Sequence, residues 1–105
     1  MSATLVSSNT TIKVNGAVNT SRNTTGTIYT APSNGYAIIN WFLDITVTGA
    51  NCSISDGSIV LYSSSTIDGQ AYAYYLGPGL SLSLSIGGGA SATAYLRGVE
   101  FVNTP

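Results

Sequence analysis

The sequence predicts an all-β fold: an antiparallel β-sandwich, jelly-roll-like, of about eight strands. Three observations carry that expectation. Residues 36–48 alternate at the two-residue period of a strand, with Ala37, Ile39, Trp41, Leu43, Ile45 and Val47 all apolar on one side. Leu80, Leu82, Leu84 and Ile86 alternate with serines, so an apolar face is backed by a polar one. Short strand-like runs recur at roughly 8–12-residue spacing between turn signals, and no segment holds the helical apolar period. Almost no helix is therefore expected. An immunoglobulin-like sandwich is the second choice, weakened because the single Cys52 cannot supply a Cys…Trp…Cys pattern.

Residues 1–9 are polar and read as an arm or tail. Ile12 and Val14 alternate in a short strand that should stop at the turn signal Asn15-Gly16. Residues 17–25 are rich in Ser, Thr and Asn without periodicity, so they read as a loop or extended arm. Residues 1–25 are thus expected to be an N-terminal arm or attachment segment, and 26–105 the sandwich domain. Gly26-Thr-Ile-Tyr-Thr is a strand ended by Pro32, and Ser33-Asn-Gly35 turns into the long strand. That strand would span roughly 43 Å, which predicts a bend or bulge near Asn40 or Asp44. Beyond the loop at Gly49 and the Asp56-Gly57 turn, the mostly apolar residues 58–62 read as a strand buried on both faces. Residues 70–76 place Tyr72, Tyr74 and Leu76 on one face and Tyr75 on the other, before the forced turn Gly77-Pro-Gly79. The last strands cover residues 92–97 and 99–102, with Gly98 between them as a bulge or kink.

At 105 residues the chain is one domain, long enough to bury a stable core without staples. Only 7% of residues are charged, against about 25% in ordinary domains. Lys13, Arg22 and Arg97 are too scattered to track phosphates, which argues against nucleic acid. No apolar run approaches the ~18 residues of a membrane span, and the N-terminus lacks the basic start and apolar run of a signal peptide. The Asn-x-Ser/Thr matches at Asn9, Asn19, Asn23 and Asn51 then read as chance in an Asn/Thr-rich chain.

The chain contains no histidine, which removes the usual general base and the usual metal ligand. Asp56 and Asp68 precede glycines and read as turn residues. Asp44 is expected to make a buried hydrogen bond or an ion pair with Arg97, and Glu100 to be a solvated edge charge. No pair of acids is spaced for glycoside hydrolysis and no loop clusters the oxygens calcium needs. The expectation is a protein without catalytic residues, metal or cofactor.

The second face of residues 36–48 starts apolar and turns polar halfway, so something should cover its first half. Ile38, Asn40 and Phe42 are the candidates for an oligomer interface. Trp41, on the apolar side, is expected in the core. The seven tyrosines, with Ser, Asn and Gly, have the composition of interfaces and of sugar-binding faces, although most would simply pack at core edges. Tyr72, Tyr74 and Tyr75, crowded on one strand, are the candidates for a surface contact.

The motifs Tyr29-Thr-Ala-Pro-Ser-Asn-Gly-Tyr36, Leu76-Gly-Pro-Gly-Leu-Ser-Leu82 and Arg97-Gly-Val-Glu-Phe101, in that order around a long apolar strand, resemble small β-sandwich modules of tailed-bacteriophage virions. The resemblance covers roughly residues 28–103. Such modules serve as capsid decoration proteins (cement or head-fibre) and as terminal domains of tail fibres. The resemblance implies a homotrimer on a virion surface, partnered by the major capsid protein or another virion protein. It carries no catalytic motif. Lack of a stalk repeat or coiled-coil heptad favours decoration over a tail fibre. The alternative is a receptor- or carbohydrate-binding tail-fibre tip, contacting a host-surface glycan through residues 72–75.

Overall fold

Period-two alternation folds this chain into strands throughout, and among the described residues there is no helix. The computed structural model describes residues 11–104. In chain order the eight strands are β1 Thr11–Arg22, β2 Gly26–Thr30, β3 Gly35–Val47, β4 Cys52–Ser55, β5 Val60–Ser64, β6 Gly69–Leu76, β7 Ser81–Ser85 and β8 Ser91–Thr104. Two four-stranded sheets result, ordered β1-β8-β3-β6 and β2-β7-β4-β5. Strands β1 and β8, β2 and β7, β3 and β6, and β4 and β5 pair antiparallel, nested one inside another like a single long hairpin. The β3–β8 and β4–β7 ladders then join the nested pairs into sheets. This wrapped double sheet is the jelly roll.

The core lies between the sheets. From β3 come Ala37, Ile39, Trp41 and Leu43, and from β8 Ala92, Ala94 and Leu96; all are buried. Cys52, Ile54, Leu82 and Leu84 meet them from the other sheet. Each fully buried Leu or Ile adds about 1.5–3 kcal/mol of transfer free energy, and these side chains interdigitate as a single cluster. Leu80 and Ile86, expected inward, flank the shorter β7 and are more exposed than the two leucines between them.

Four expectations need correction. Residues 11–22 are not an arm: they form β1, hydrogen-bonded along β8, and Val18 enters the core. The Asn15-Gly16 signal produces a bulge rather than a turn, because β8 is long enough to pair on both sides of it. The expected arm is therefore part of the sandwich from Thr11 onward, while residues 1–10 lie outside the described residues. Residues 58–62 are not doubly buried: β5 is an edge strand, and Ile59 and Val60 are exposed.

Gly98 does not break β8, which runs continuously from Ser91 to Thr104 against β3. It marks a close approach instead, since a Cβ there would collide with the backbone carbonyl of Ile38. The bend or bulge expected in β3 near Asn40 or Asp44 falls slightly elsewhere. Across Asn40, β6 carries one extra residue, and near Thr46 the register with β8 shifts.

Gly98→Ala is expected to cost ~1–3 kcal/mol, the range for overpacked sites. Gly16, where a Cβ would meet open space, is its control, and Gly16→Ala should change stability by no more than about 0.5 kcal/mol. Urea unfolding of both variants measures the difference; equal midpoints would contradict the close-approach argument.

Candidate functional site

Because β3 sends alternate residues into the core, Tyr36, Ile38, Asn40 and Phe42 stand on the opposite side of the sheet. Register supplies their neighbours. Val14, Phe101 and Tyr36 form one cross-strand row, and Ala17, Val99, Ile38 and Tyr75 the next. Asn19, Arg97 and Asn40 follow, then Ser21, Tyr95, Phe42 and Gln70. Tyr36 packs between Phe101 and Tyr75, with ring centroids 5.0 and 5.3 Å away. Phe42 stacks on Tyr95 at 6.3 Å. Two aromatic clusters thus flank the polar Arg97–Asn40 row.

Across these rows Arg97 is the only ionisable group besides tyrosine. Its guanidinium donates to the Leu96 carbonyl at 2.9 Å, and among the described residues the expected ion pair with Asp44 does not form. At ~3.3 Å per residue and ~4.8 Å per strand, the outer face of this sheet covers on the order of 800 Å², about one partner's share of a standard protein interface. Tyr75 keeps 56% of its surface exposed and Val14 63%, so the face is accessible as well as apolar. Apolar and aromatic side chains gathered on one accessible sheet face make it the candidate interaction surface.

The three interface candidates read from the sequence, Ile38, Asn40 and Phe42, all stand on this face. Asn40 has a further task. Its Oδ1 accepts a hydrogen bond from the backbone N–H of Ala73 at 2.8 Å, holding the β6 bulge where Ala73 adopts a φ of 54°. A non-glycine residue in that region costs about 1–2 kcal/mol, which the Asn40 bond helps to offset.

The bulge also divides the tyrosines that were expected to act together. Tyr72 is 72% exposed, Tyr75 joins the aromatic face, and Tyr74 turns inward. The Tyr74 hydroxyl donates to Asp56 Oδ2 at 2.6 Å, while Asp56 Oδ1 accepts the backbone N–H groups of Ser58 and Ile59 at 3.0 Å. Asp56 thus ties the β4–β5 turn to β6 of the other sheet. A second tie lies two strands across the same sheet, on β8. Glu100, expected to be solvated, is half-buried and accepts hydrogen bonds from the Tyr29 hydroxyl and from Asn15 Nδ2. Hydrogen bonds from Tyr74 hold Asp56 below its ordinary carboxylate range, and those from Tyr29 do the same for Glu100. Burial, reinforced by the carboxylate partner, pushes Tyr74 up to about 12 and raises Tyr29 as well.

Of the other ionisable groups, Asp68, in the connection just before β6, accepts the Ile45 N–H at 2.8 Å, and Cys52 is a buried free thiol. Among the described residues no three His, Cys, Asp or Glu side chains come together to hold a metal. Trp41 is in the core as expected, and among the described residues its Nε1 has no hydrogen-bond acceptor. Sequence reasoning did not single out Tyr36, Tyr95, Val99 and Phe101. The signal was present: Tyr95, Arg97, Val99 and Phe101 keep one parity straight through Gly98.

The two carboxylate–tyrosine ties fix the sign of the pH dependence. Asp56 and Glu100 are depressed in the folded state, so their stabilisation is complete above the ordinary carboxylate range and is lost as pH falls through the lowered values. Tyr74 and Tyr29 are raised, so stability is lost as pH climbs from about 10 toward 12. Tyr74→Phe should flatten both limbs of a melting-temperature profile measured between about pH 2 and 11. A Tyr74→Phe profile parallel to the native one would contradict the tie.

No protein-family model matches this chain, no curated protein is detectably similar to it, and no solved structure matches it.

Proposed function

We propose that this chain is a non-enzymatic structural protein of a tailed-bacteriophage particle, a capsid decoration protein of the cement or head-fibre kind that assembles as a homotrimer on the virion surface. The observation that carries this reading is the outer face of the β1-β8-β3-β6 sheet. Its Tyr36, Ile38, Phe42, Tyr75, Tyr95, Val99 and Phe101 have the aromatic, charge-depleted composition of an interface centre, and Arg97 is an interface-enriched residue at its middle. A second copy of the chain is the occupant this face suits best: a surface so poor in charge offers no electrostatic code for a foreign partner, and shape with apolar area remains. The virion assignment rests on the resemblance of the three loop-and-strand motifs. The scarcity of ionisable groups fits it, since little of the stability then depends on pH or salt.

The alternative, a glycan-reading tail-fibre tip acting through Tyr72, Tyr74 and Tyr75, is the weaker reading. Tyr74 is committed to Asp56 and Tyr75 to Tyr36, which among the described residues leaves Tyr72 without a second ring beside it.

The native protein should have three times its 10.8 kDa chain mass in sedimentation velocity. Val99→Asp places a carboxylate amid the face and should yield monomers whose circular dichroism spectrum is unchanged, whereas Tyr72→Ala should remain trimeric. A monomeric native protein, or a Val99→Asp variant that stays trimeric, would overturn the assembly. A trimer that fails to co-sediment with undecorated tailed-phage heads would overturn the virion assignment alone.

A further inference from the structure

The end of the sandwich where β1 leaves β8 carries a feature the self-association reading does not use. β1 pairs with β8 only as far as Arg22 opposite Ala94, after which residues 23–25 turn away toward β2. Among the described residues, 91–93 of β8 therefore have β3 on one side and no strand on the other. An open cleft of about 500 Å³ occupies the missing strand's place. This lies within the ~300–1,000 Å³ of sites that hold small molecules.

Its walls are built by hydroxyl groups. Thr25 Oγ1 accepts the Ile86 N–H at 3.0 Å, and Thr46 Oγ1 donates to the Ser91 carbonyl at 3.2 Å. Asn23, Thr24, Ser91 and Thr93 also line the cleft, and among the described residues no protein group engages their side-chain polar atoms. Ile86, Ala90 and Ala92 supply an apolar strip among them.

Charge selects the ligand class. No lining residue is ionisable. The nearest cation, Arg22, is spent on the carbonyls of Thr24, Thr25 and Thr27 at 2.8, 3.0 and 3.3 Å. The cross-strand neighbour of Thr93 is Asp44, the wrong sign for an anion. A wholly apolar ligand would strip water from the free hydroxyls and return no hydrogen bonds. Hydroxyl groups and an amide, each both donor and acceptor, match a ligand that is itself neutral and dense in hydroxyls. The apolar strip matches the C–H side of a sugar ring. We propose that this cleft, rather than the tyrosines of β6, is a binding site for a neutral saccharide.

Lactose, maltotriose and the trimer of N-acetylglucosamine are the probes, each titrated to ~50 mM into the ¹⁵N-labelled full chain, because an open site without a stacking ring gives millimolar affinity. At least one should produce saturable amide shifts confined to residues 23–25 and 91–93. Thr93→Val, which keeps shape and removes one hydroxyl, should weaken that binding roughly fivefold, the net value of one hydrogen bond, with unchanged melting. N-acetylneuraminic acid should bind more weakly than the best neutral probe. No saturable shift at the cleft with any probe, shifts centred on Tyr72 and Tyr75, or tighter binding of the anionic sugar would each overturn the proposal.

Discussion

Strand β3 is held on both sides, by β8 over nearly its whole length and by β6 over much of it, and both of its faces are occupied by apolar side chains. One face closes the core against Ile54, Leu82 and Leu84. The other sets Tyr36, Ile38 and Phe42 among the aromatics of β8 and β6. Because the side-chain period is two, a one-residue slip of β3 would exchange these faces and put Asn40 in the core, so the strand admits only one register. The outer face is thus a consequence of how the core is built.

A chain with so few charges has few ion pairs available, and it joins its sheets by other means. Asp56 and Glu100 each accept a tyrosine hydroxyl from another strand, together with backbone or amide N–H groups. Tyrosine is well suited to this, since the ring packs at the core edge while the hydroxyl reaches the carboxylate. With Asp68, which accepts the Ile45 N–H, three of the four side-chain carboxylates are therefore structural hydrogen-bond acceptors. The surface left over is made of Ser, Thr, Asn and aromatic groups, and it divides into an apolar sheet face and a hydroxyl-lined end.

Residues 36–48 announced β3 and its two apolar faces because a long strand repeats its pattern often enough to be read. Leu82 and Leu84 were legible for the same reason. Asn15-Gly16 misled because turn chemistry is local, whereas the long partner β8 could absorb the extra residue as a bulge. Gly98 misled in the same way: the residue signals a special backbone position, but only the approach of Ile38 shows that the need is for space and not for a bend. The inward turn of Tyr74 was hidden because Ala73, whose positive φ resets the alternation, is not a residue that sequence marks for that conformation. The jelly-roll count was readable from turn spacing. The strand order was not, since pairs such as β1 with β8 join the two ends of the chain.

Hydroxyl-radical footprinting across a concentration series would locate the covered surface directly. If copies of this chain meet through the β1-β8-β3-β6 sheet, Tyr36, Tyr75, Tyr95 and Phe101 should lose reactivity together as concentration rises, while Tyr72 on the same sheet's edge stays reactive. Reactivity at those four residues that is independent of concentration, or protection confined to the β2-β7-β4-β5 sheet, would contradict self-association through this face.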